Sequence, residues 1–433
     1  GAIMNRITRI VIGGGVSAAL ATPALAQAGT APDSGHTAWM LAATALVLFM
    51  TLPGLALFYA GLVRLKNALS VMAHCVAIAC LASLLWLFGG YSLAFSGQGP
   101  LVGDLAKFAL LPVGRDSHAG LVPENLFFMF QMTFAVITPA LIVGAVVERI
   151  RFSAVLMFSG LWLLVVYAPV CHWVWGGGWL MQRHVMDYAG GLVVHATAGA
   201  SALVLAWRLG PRDGFPRDLS PPHNPGMTMI GAGMLWVGWY GFNAGSALAA
   251  DGNAAAALTA THLSAATAGL VWAMIEYRRF RRASMVGLVT GVVAGLATVT
   301  PASGYVGPLG GVVLGAAGSF VCYQSVDFVK HRLKIDDSLD VFAVHGVGGI
   351  LGTLLAAVLA STRLGGSGYA PGEDMASQML TQAVGVVAVV LWSGLATLAL
   401  VFVVRRTVGL RAKNEHIEEG LDMAAHGERA WNP

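Results

Sequence analysis

The sequence predicts an all-α integral membrane protein with eleven membrane-spanning helices, and two observations support this fold class. Of the 433 residues, 57% are hydrophobic and only 11% are charged, whereas soluble domains are about a quarter charged. The apolar residues form runs of about 20, the length that crosses the hydrocarbon layer of a bilayer as a helix. Such a chain cannot cover a water-facing surface, so its main solvent is lipid. The modest formal charge of +4 gives no reason to expect a nucleic-acid partner.

The first residues have the pattern of a cleaved signal peptide. Arg6 and Arg9 precede an apolar run at residues 10–21, and an Ala-Leu-Ala site ends at Ala26. A charged start, a short apolar segment and a small-residue site are typical of secretory signals. We interpret residues 1–26 as three added residues before a start at Met4, then a signal cleaved after Ala26. The alternative is a first helix that is retained.

Eleven apolar runs of membrane-spanning length follow this signal. They are approximately residues 38–63, 69–95, 121–147, 152–172, 189–207, 227–249, 254–276, 284–300, 304–328, 341–360 and 379–404.

The basic residues support this count. Nineteen lysines and arginines fall in the loops after odd-numbered spans or in the tail, and four fall after even-numbered spans. Basic residues concentrate on the cytoplasmic side. We therefore expect a transmembrane domain at residues 27–405, with the N-terminus outside the cytoplasm. Residues 406–433 would form a cytoplasmic tail.

Two similar segments predict an inverted repeat. Residues 194–199 in span five and 344–349 in span ten both read Val-His-small-x-small-Gly. Five spans separate them, so the two helices run in opposite directions. This predicts five plus five helices in an inverted repeat and a final eleventh helix, with a path at the repeat interface. Asp187 and Asp340 precede the segments and are suited to cap the two helices. Asp187 could also attract a cation at the outer face.

The repeated segments place His195 and His345 inside the membrane, where an ionisable group needs a partner or a polar cavity. Two-fold symmetry could bring the two rings together near the midplane. A neutral imidazole has one donor and one acceptor, so a pair can share a proton. The alternative is two unrelated core histidines.

Aromatic and hydroxyl side chains lie near the outer ends of the spans. Trp175 and Ser246 could form a cation site, because an aromatic face attracts a cation and a hydroxyl oxygen accepts an N–H bond. Phe134 and Phe242 would lie on the membrane side of this site as an apolar constriction. The alternative for Trp175 is an aromatic belt residue at the membrane surface.

No metal site or cofactor is predicted. The four cysteines lie in or beside apolar runs without a CxxC pair, and we interpret them as packing residues. They are Cys75, Cys80, Cys171 and Cys322.

Ordered motifs extend over nearly the whole mature chain. They are LFYAGL at 57–62, FQMTFA at 130–135, ERIRFS at 148–153, VWGGG at 174–178, DYAGG at 187–191, GWYGFNAGS at 238–246, TPA at 300–302 and DVFAVHG at 340–346. Together they resemble the ammonium transporter (Amt/Rh/Mep) family, in particular its bacterial Amt branch. With the signal peptide, this resemblance implies a bacterial inner membrane and a periplasmic N-terminus.

The resemblance implies roles for the outer residues. Phe134, Trp175 and Ser246 match the family's ammonium-recruitment site, and Asp187 matches the aspartate beside it. Phe134 and Phe242 match the stacked phenylalanine gate.

The resemblance also implies a twin-histidine pore at His195 and His345, one in each subunit of a homotrimer. The tail matches at residues 407–411, 419–422 and 426–428. In the family, this tail couples subunits and supports regulation by PII-type signalling proteins.

The expected function is transport of ammonium or methylammonium without enzymatic activity. Ammonium would lose a proton at the gate, and ammonia would pass the histidines. One alternative is an ammonium sensor that signals through the tail, disfavoured because only about 29 residues follow span eleven. Others are a membrane metalloenzyme, for which two histidines are a poor ligand set, and a neutral-gas channel of the Rhesus type.

Overall fold

The structure is a computed structural model that describes residues 32–432. The predicted signal peptide and its cleavage site lie outside these residues. Each predicted span coincides with one helix, and no predicted end differs from the observed end of its helix by more than four residues. The helices are α1 (Ser34–Leu62), α2 (Leu65–Phe95), α3 (Glu124–Val143), α4 (Phe152–Trp175), α5 (Gly191–Leu209), α6 (Pro225–Gly245), α7 (Gly252–Phe280), α8 (Met285–Val299), α9 (Pro308–Arg332), α10 (Phe342–Leu359) and α11 (Met375–Thr407).

Nine helices in the described part of the chain are long and apolar enough to cross a membrane. The chain is therefore a multi-pass membrane protein. Helix α8 is apolar but has 15 residues. Helix α6 has 21 residues but contains two tryptophans, Asn243 and several glycines, which lower its hydropathy. Eleven crossings thus stay a prediction.

Short polar side chains fix where several helices begin. Asp33, Asn224, Asp251 and Ser284 each accept a hydrogen bond from a backbone N–H three residues further on. These bonds satisfy donors that the first turn of a helix leaves free.

The remaining elements are small. Strands β1 (His118–Ala119) and β2 (Val122–Pro123) pair antiparallel between α2 and α3. The tail contains α12 (Asn414–Glu419) and a final turn at Asp422–His426.

The tail packs against the ends of the long helices. The Asp422 carboxylate accepts hydrogen bonds from the N–H groups of Leu69 and Ser70, near the start of α2. The Arg151 guanidinium donates to the carbonyl oxygens of Val408 and Arg411. The tail is thus fixed to the first turns of α2 and to Arg151, the residue before α4.

Helices α5 and α10 cross antiparallel at very short range. A Cβ atom on Gly199 would lie 2.2 Å from the Gly346 Cα. A Cβ atom on Gly349 would lie 2.6 Å from the Gly191 carbonyl oxygen. The residues in contact thus have lower numbers in α5 as those in α10 have higher numbers, which is the order of an antiparallel crossing. Only glycine permits so close an approach in a tightly packed membrane bundle.

Candidate functional site: a histidine pair between two cavities

His195 and His345 face each other in the interior of the helix bundle. Their Nδ1 atoms lie 3.1 Å apart, within hydrogen-bonding distance. The two rings are nearly parallel, with an interplanar angle of 14°. Both side chains are buried, at 1% and 4% exposure. At this distance one Nδ1 can donate to the other, so the geometry allows the two rings to share one proton between these atoms.

Both histidines lie in a wide, π-type turn at the start of their helix. These turns span Gly191–Ala196 in α5 and Phe342–Gly346 in α10. Such turns are rare and often occur at functional sites. Here they aim each imidazole at the crossing of the two helices.

Buried aspartates cap these two turns. The Asp187 carboxylate accepts hydrogen bonds from four consecutive N–H groups, those of residues 190–193. The Asp337 carboxylate accepts bonds from the N–H groups of Val341 and Phe342. Burial raises the pKa of Asp187 to about 6, although the four hydrogen bonds act to lower it. Burial and the nearby Asp340 raise the pKa of Asp337 to about 7.

The prediction that Asp340 caps α10 is wrong. Its carboxylate pairs with the Lys330 ammonium at 2.6 Å, and no backbone N–H of α10 reaches it because Asp337 occupies that place. Asp337 lies eight residues before His345, the same spacing that separates Asp187 from His195. The equal spacing is the sequence signal that identifies the true cap.

The space beside the histidines is very small and almost entirely apolar. An enclosed volume of about 10 Å³ borders His195 and His345, roughly the room for one water-sized molecule. Trp239 stacks on His195 with ring centroids 5.5 Å apart. The Nε2 atom of His195 is buried without a hydrogen-bond partner in the described residues, so it is free to contact a small polar guest.

Phe134 and Phe242 lie together on one side of the histidines. Their ring centroids are 4.3 Å apart, and both side chains are 1% exposed. Phe242 also contacts His195, at 6.0 Å between ring centroids. Trp175 meets the edge of Phe134 at 88°, with centroids 5.9 Å apart. These rings separate the histidines from the cavity beyond them.

A cavity of about 150 Å³ lies beyond the phenylalanines and is bordered by Trp175, Ser246 and Asp187. We call it the outer cavity, after the orientation that the sequence predicts. The Trp175 indole N–H donates to the Asp187 carbonyl oxygen, which fixes the ring. The Ser246 hydroxyl donates to the Phe242 carbonyl oxygen, so its own oxygen remains able to accept. The Asp187 carboxylate already accepts four backbone N–H bonds. It therefore does not contact a cation in this cavity directly.

Gln131 also borders this outer cavity, and sequence reasoning missed it. Its side-chain oxygen is buried and has no partner in the described residues. Gln131 lies within the quoted motif at residues 130–135. An amide inside an apolar span is the signal that could have found it.

A second cavity, of about 210 Å³, lies on the other side of the histidine pair. It is bordered by His345, Arg212, Lys330 and Asp340. The predicted site residues thus lie in order between two cavities: Trp175 and Ser246 at the outer cavity, then Phe134 and Phe242, then the histidine pair. We call the second cavity, which His345 borders, the inner cavity, after the same predicted orientation.

A bundle of long apolar helices that holds a buried histidine pair between two cavities defines a multi-pass membrane protein. The chain belongs to the ammonium transporter family, whose model matches residues 38–431. It is 44% identical to an ammonium transporter of Aquifex aeolicus, covering 92% of this chain and 94% of that protein. It is 43% identical to a putative ammonium transporter of Methanothermobacter thermautotrophicus, covering 92% and 98%. A solved structure described as a sensor Amt protein superimposes with a TM-score of 0.85 at 29% identity, covering 90% and 98%.

Proposed function

We propose that the chain transports ammonium by recruiting the cation in the outer cavity, removing its proton and passing ammonia along the histidine pair. The observation that carries this proposal is the Nδ1–Nδ1 contact of His195 and His345. The contact lies between two cavities, with room for about one small molecule beside it.

Recruitment uses the outer cavity. Trp175 offers an aromatic face to a cation, with Phe134 meeting it edge-on. Ser246 and Gln131 offer oxygen atoms that can accept N–H bonds. These groups replace part of the water that ammonium loses.

Selectivity follows from the apolar segment. Phe134 and Phe242 exclude hydrated ions. Placing a bare cation beyond them costs several kcal/mol, about the penalty of burying an unpaired charge. Ammonium is a weak acid and can lose its proton instead, whereas potassium and sodium cannot. Ammonia then passes His195 and His345 to the inner cavity. The proton that ammonium gives up is either returned to water at the outer cavity or taken up by His195 and relayed through His345 to the inner cavity.

The test replaces both histidines by leucine and measures the protein in proteoliposomes given ammonium, methylammonium or potassium pulses. We expect H195L/H345L to lose the selective ammonium response, recorded both as current and as internal pH. His262→Leu is the matched control, because His262 contacts Tyr240 away from the cavities. An unchanged ammonium-dependent current in a folded double variant would exclude the proton relay.

A second function, ammonium sensing, is favoured by the likeness to the sensor Amt protein. A sensor would change the docking of its tail on binding ammonium. Limited proteolysis of the tail with and without ammonium, together with flux measurements, separates the two functions. Ammonium-dependent protection without any flux would support sensing.

We infer the assembly and location from the same family membership. The proposed state is a homotrimer in a bacterial inner membrane, with eleven spans, an inverted five-plus-five repeat and a cytoplasmic tail that a PII-type protein can contact. No enzymatic step is proposed. Mass measurement of the protein in nanodiscs tests the trimer, and labelling of single cysteines on either side of the membrane tests the orientation.

A further inference from the structure

The loop between α2 and α3 exposes large apolar side chains. Leu101, Val102, Leu105, Phe108 and Leu111 are 41–82% exposed, with Leu111 the most exposed of them. We call residues 101–111 the apolar loop. A loop that faced water alone would gain nothing from five such side chains within eleven residues, and a clustered exposed apolar surface marks an interaction site.

The polar groups of the apolar loop are already bound by the protein. Its two charged residues are Asp104 and Lys107. The Lys107 ammonium pairs with Glu124 at 2.6 Å. The Asp104 carboxylate accepts hydrogen bonds from the Ser96 hydroxyl and the Ala106 N–H. Lys107 thus has a charged partner and the Asp104 carboxylate has two hydrogen bonds, which lowers the cost of placing the loop beside an apolar phase.

Most backbone N–H groups of the apolar loop are also hydrogen-bonded, within the loop or to residues 92–96. Short turns bond the N–H groups of Phe108, Leu110 and Leu111 to carbonyl oxygens three residues earlier. Unpaired backbone groups are the main cost of placing a loop beside lipid, and this loop avoids much of that cost.

An exposed stripe on α2 runs directly into the apolar loop. Val76, Cys80, Leu84 and Phe88 lie four residues apart on one face of the helix, and all four are exposed. Phe88 contacts Phe108, with ring centroids 6.0 Å apart. The loop surface thus continues a face of a helix that is long and apolar enough to cross the membrane.

We propose that the apolar loop lies in the interfacial region of the bilayer and inserts its side chains among lipid acyl chains, beside the exposed stripe of α2. Helix contacts between membrane subunits favour small and hydroxyl side chains, whereas this surface presents leucine, valine and phenylalanine. The exposed charges of Arg115 and Asp116 follow the loop in sequence and lie at the level of the lipid headgroups. This proposal does not depend on the transport mechanism.

Spin labels on single cysteines test the position of the loop in liposomes. The background carries Cys80→Ala, which removes the exposed thiol and leaves three buried ones. Labels at Leu105→Cys and Leu111→Cys should collide severalfold more with oxygen than with a water-soluble nickel chelate. A label at Asp116→Cys, the matched control, should show the reverse preference.

The unmodified protein gives a second test that does not depend on any substitution. Reconstituted with a phospholipid that carries a photoactivatable group in its acyl chain, it should form adducts on the peptide containing residues 101–111. Absence of adducts there, or free access of the nickel chelate to both loop labels, would overturn the proposal. Dipolar coupling between loop labels of different copies would also overturn it, because a second copy would then cover the surface.

Discussion

Asp187 and Asp337 occupy equivalent places relative to the two facing histidines. Each carboxylate lies eight residues before its histidine and accepts N–H bonds from the first turn of that histidine's helix. They differ in the number of bonds, four for Asp187 and two for Asp337. The start of each histidine helix is thus fixed by a buried acid.

Replacing these acids by alanine should destabilise the protein in the order Asp187, Asp337, Asp340. Loss of a helix cap costs about 0.5–2 kcal/mol, and Asp187→Ala should reach or exceed the upper value because it frees four buried donors. Thermal unfolding in detergent gives the ranking. Asp340→Ala is the control, since Asp340 bonds to Lys330 and caps nothing. A larger loss for Asp340→Ala than for Asp337→Ala would contradict the assignment of the cap.

Gly199→Ala should separate α5 from α10 and disturb the histidine pair. The added Cβ would lie 2.2 Å from the Gly346 Cα, a backbone atom that cannot yield locally. Overpacking of this kind costs about 1–3 kcal/mol, so both the unfolding temperature and the ammonium flux should fall. Gly233→Ala in α6 is the matched control, because a Cβ there meets nothing within 4 Å. Equal behaviour of the two variants would refute the tight crossing.

Trp175→Leu should weaken recruitment without changing the fold. A cation–π contact contributes about 0.5–2 kcal/mol, so the half-saturating ammonium concentration should rise by about 2- to 30-fold. The concentration dependence of the flux measures this shift. Trp179→Leu serves as control, because Trp179 packs against Trp173 and does not border the outer cavity. A similar shift in both variants would argue for an indirect effect.

The sequence predicts the helices well because lipid demands long apolar runs. It also identifies the histidine pair, since the repeated Val-His segments are a local signal. Two features were missed although the sequence carries a signal for each: the eight-residue spacing for Asp337 as a cap, and the amide within an apolar span for Gln131 at the outer cavity. Asp340 is the acid nearest before His345 in the sequence, and only the fold shows that it pairs with Lys330 instead of capping α10. The contact of α5 with α10 at Gly199 likewise depends on tertiary structure.

Asp336 should make the stability of the protein sensitive to acid. Burial acts to raise the pKa of Asp336, but hydrogen bonds from Arg212 and the charges of Arg149 and Arg212 outweigh it and hold the pKa below its usual value of 3.8. A carboxylate whose pKa is lower in the folded than in the unfolded protein stabilises the fold at any pH above its unfolded pKa. This contribution is lost as the pH falls through its folded pKa. Unfolding temperatures measured from pH 7 to below pH 4 should therefore fall more steeply for the native protein than for Asp336→Asn. The variant should be less stable at pH 7, because Arg149 is fully buried and would lose a compensating charge.

Glu415→Gln is the control, because it replaces an exposed carboxylate on α12, and it should keep the native pH dependence. Parallel pH curves for the native protein and Asp336→Asn would show that this ion-pair network does not govern acid stability.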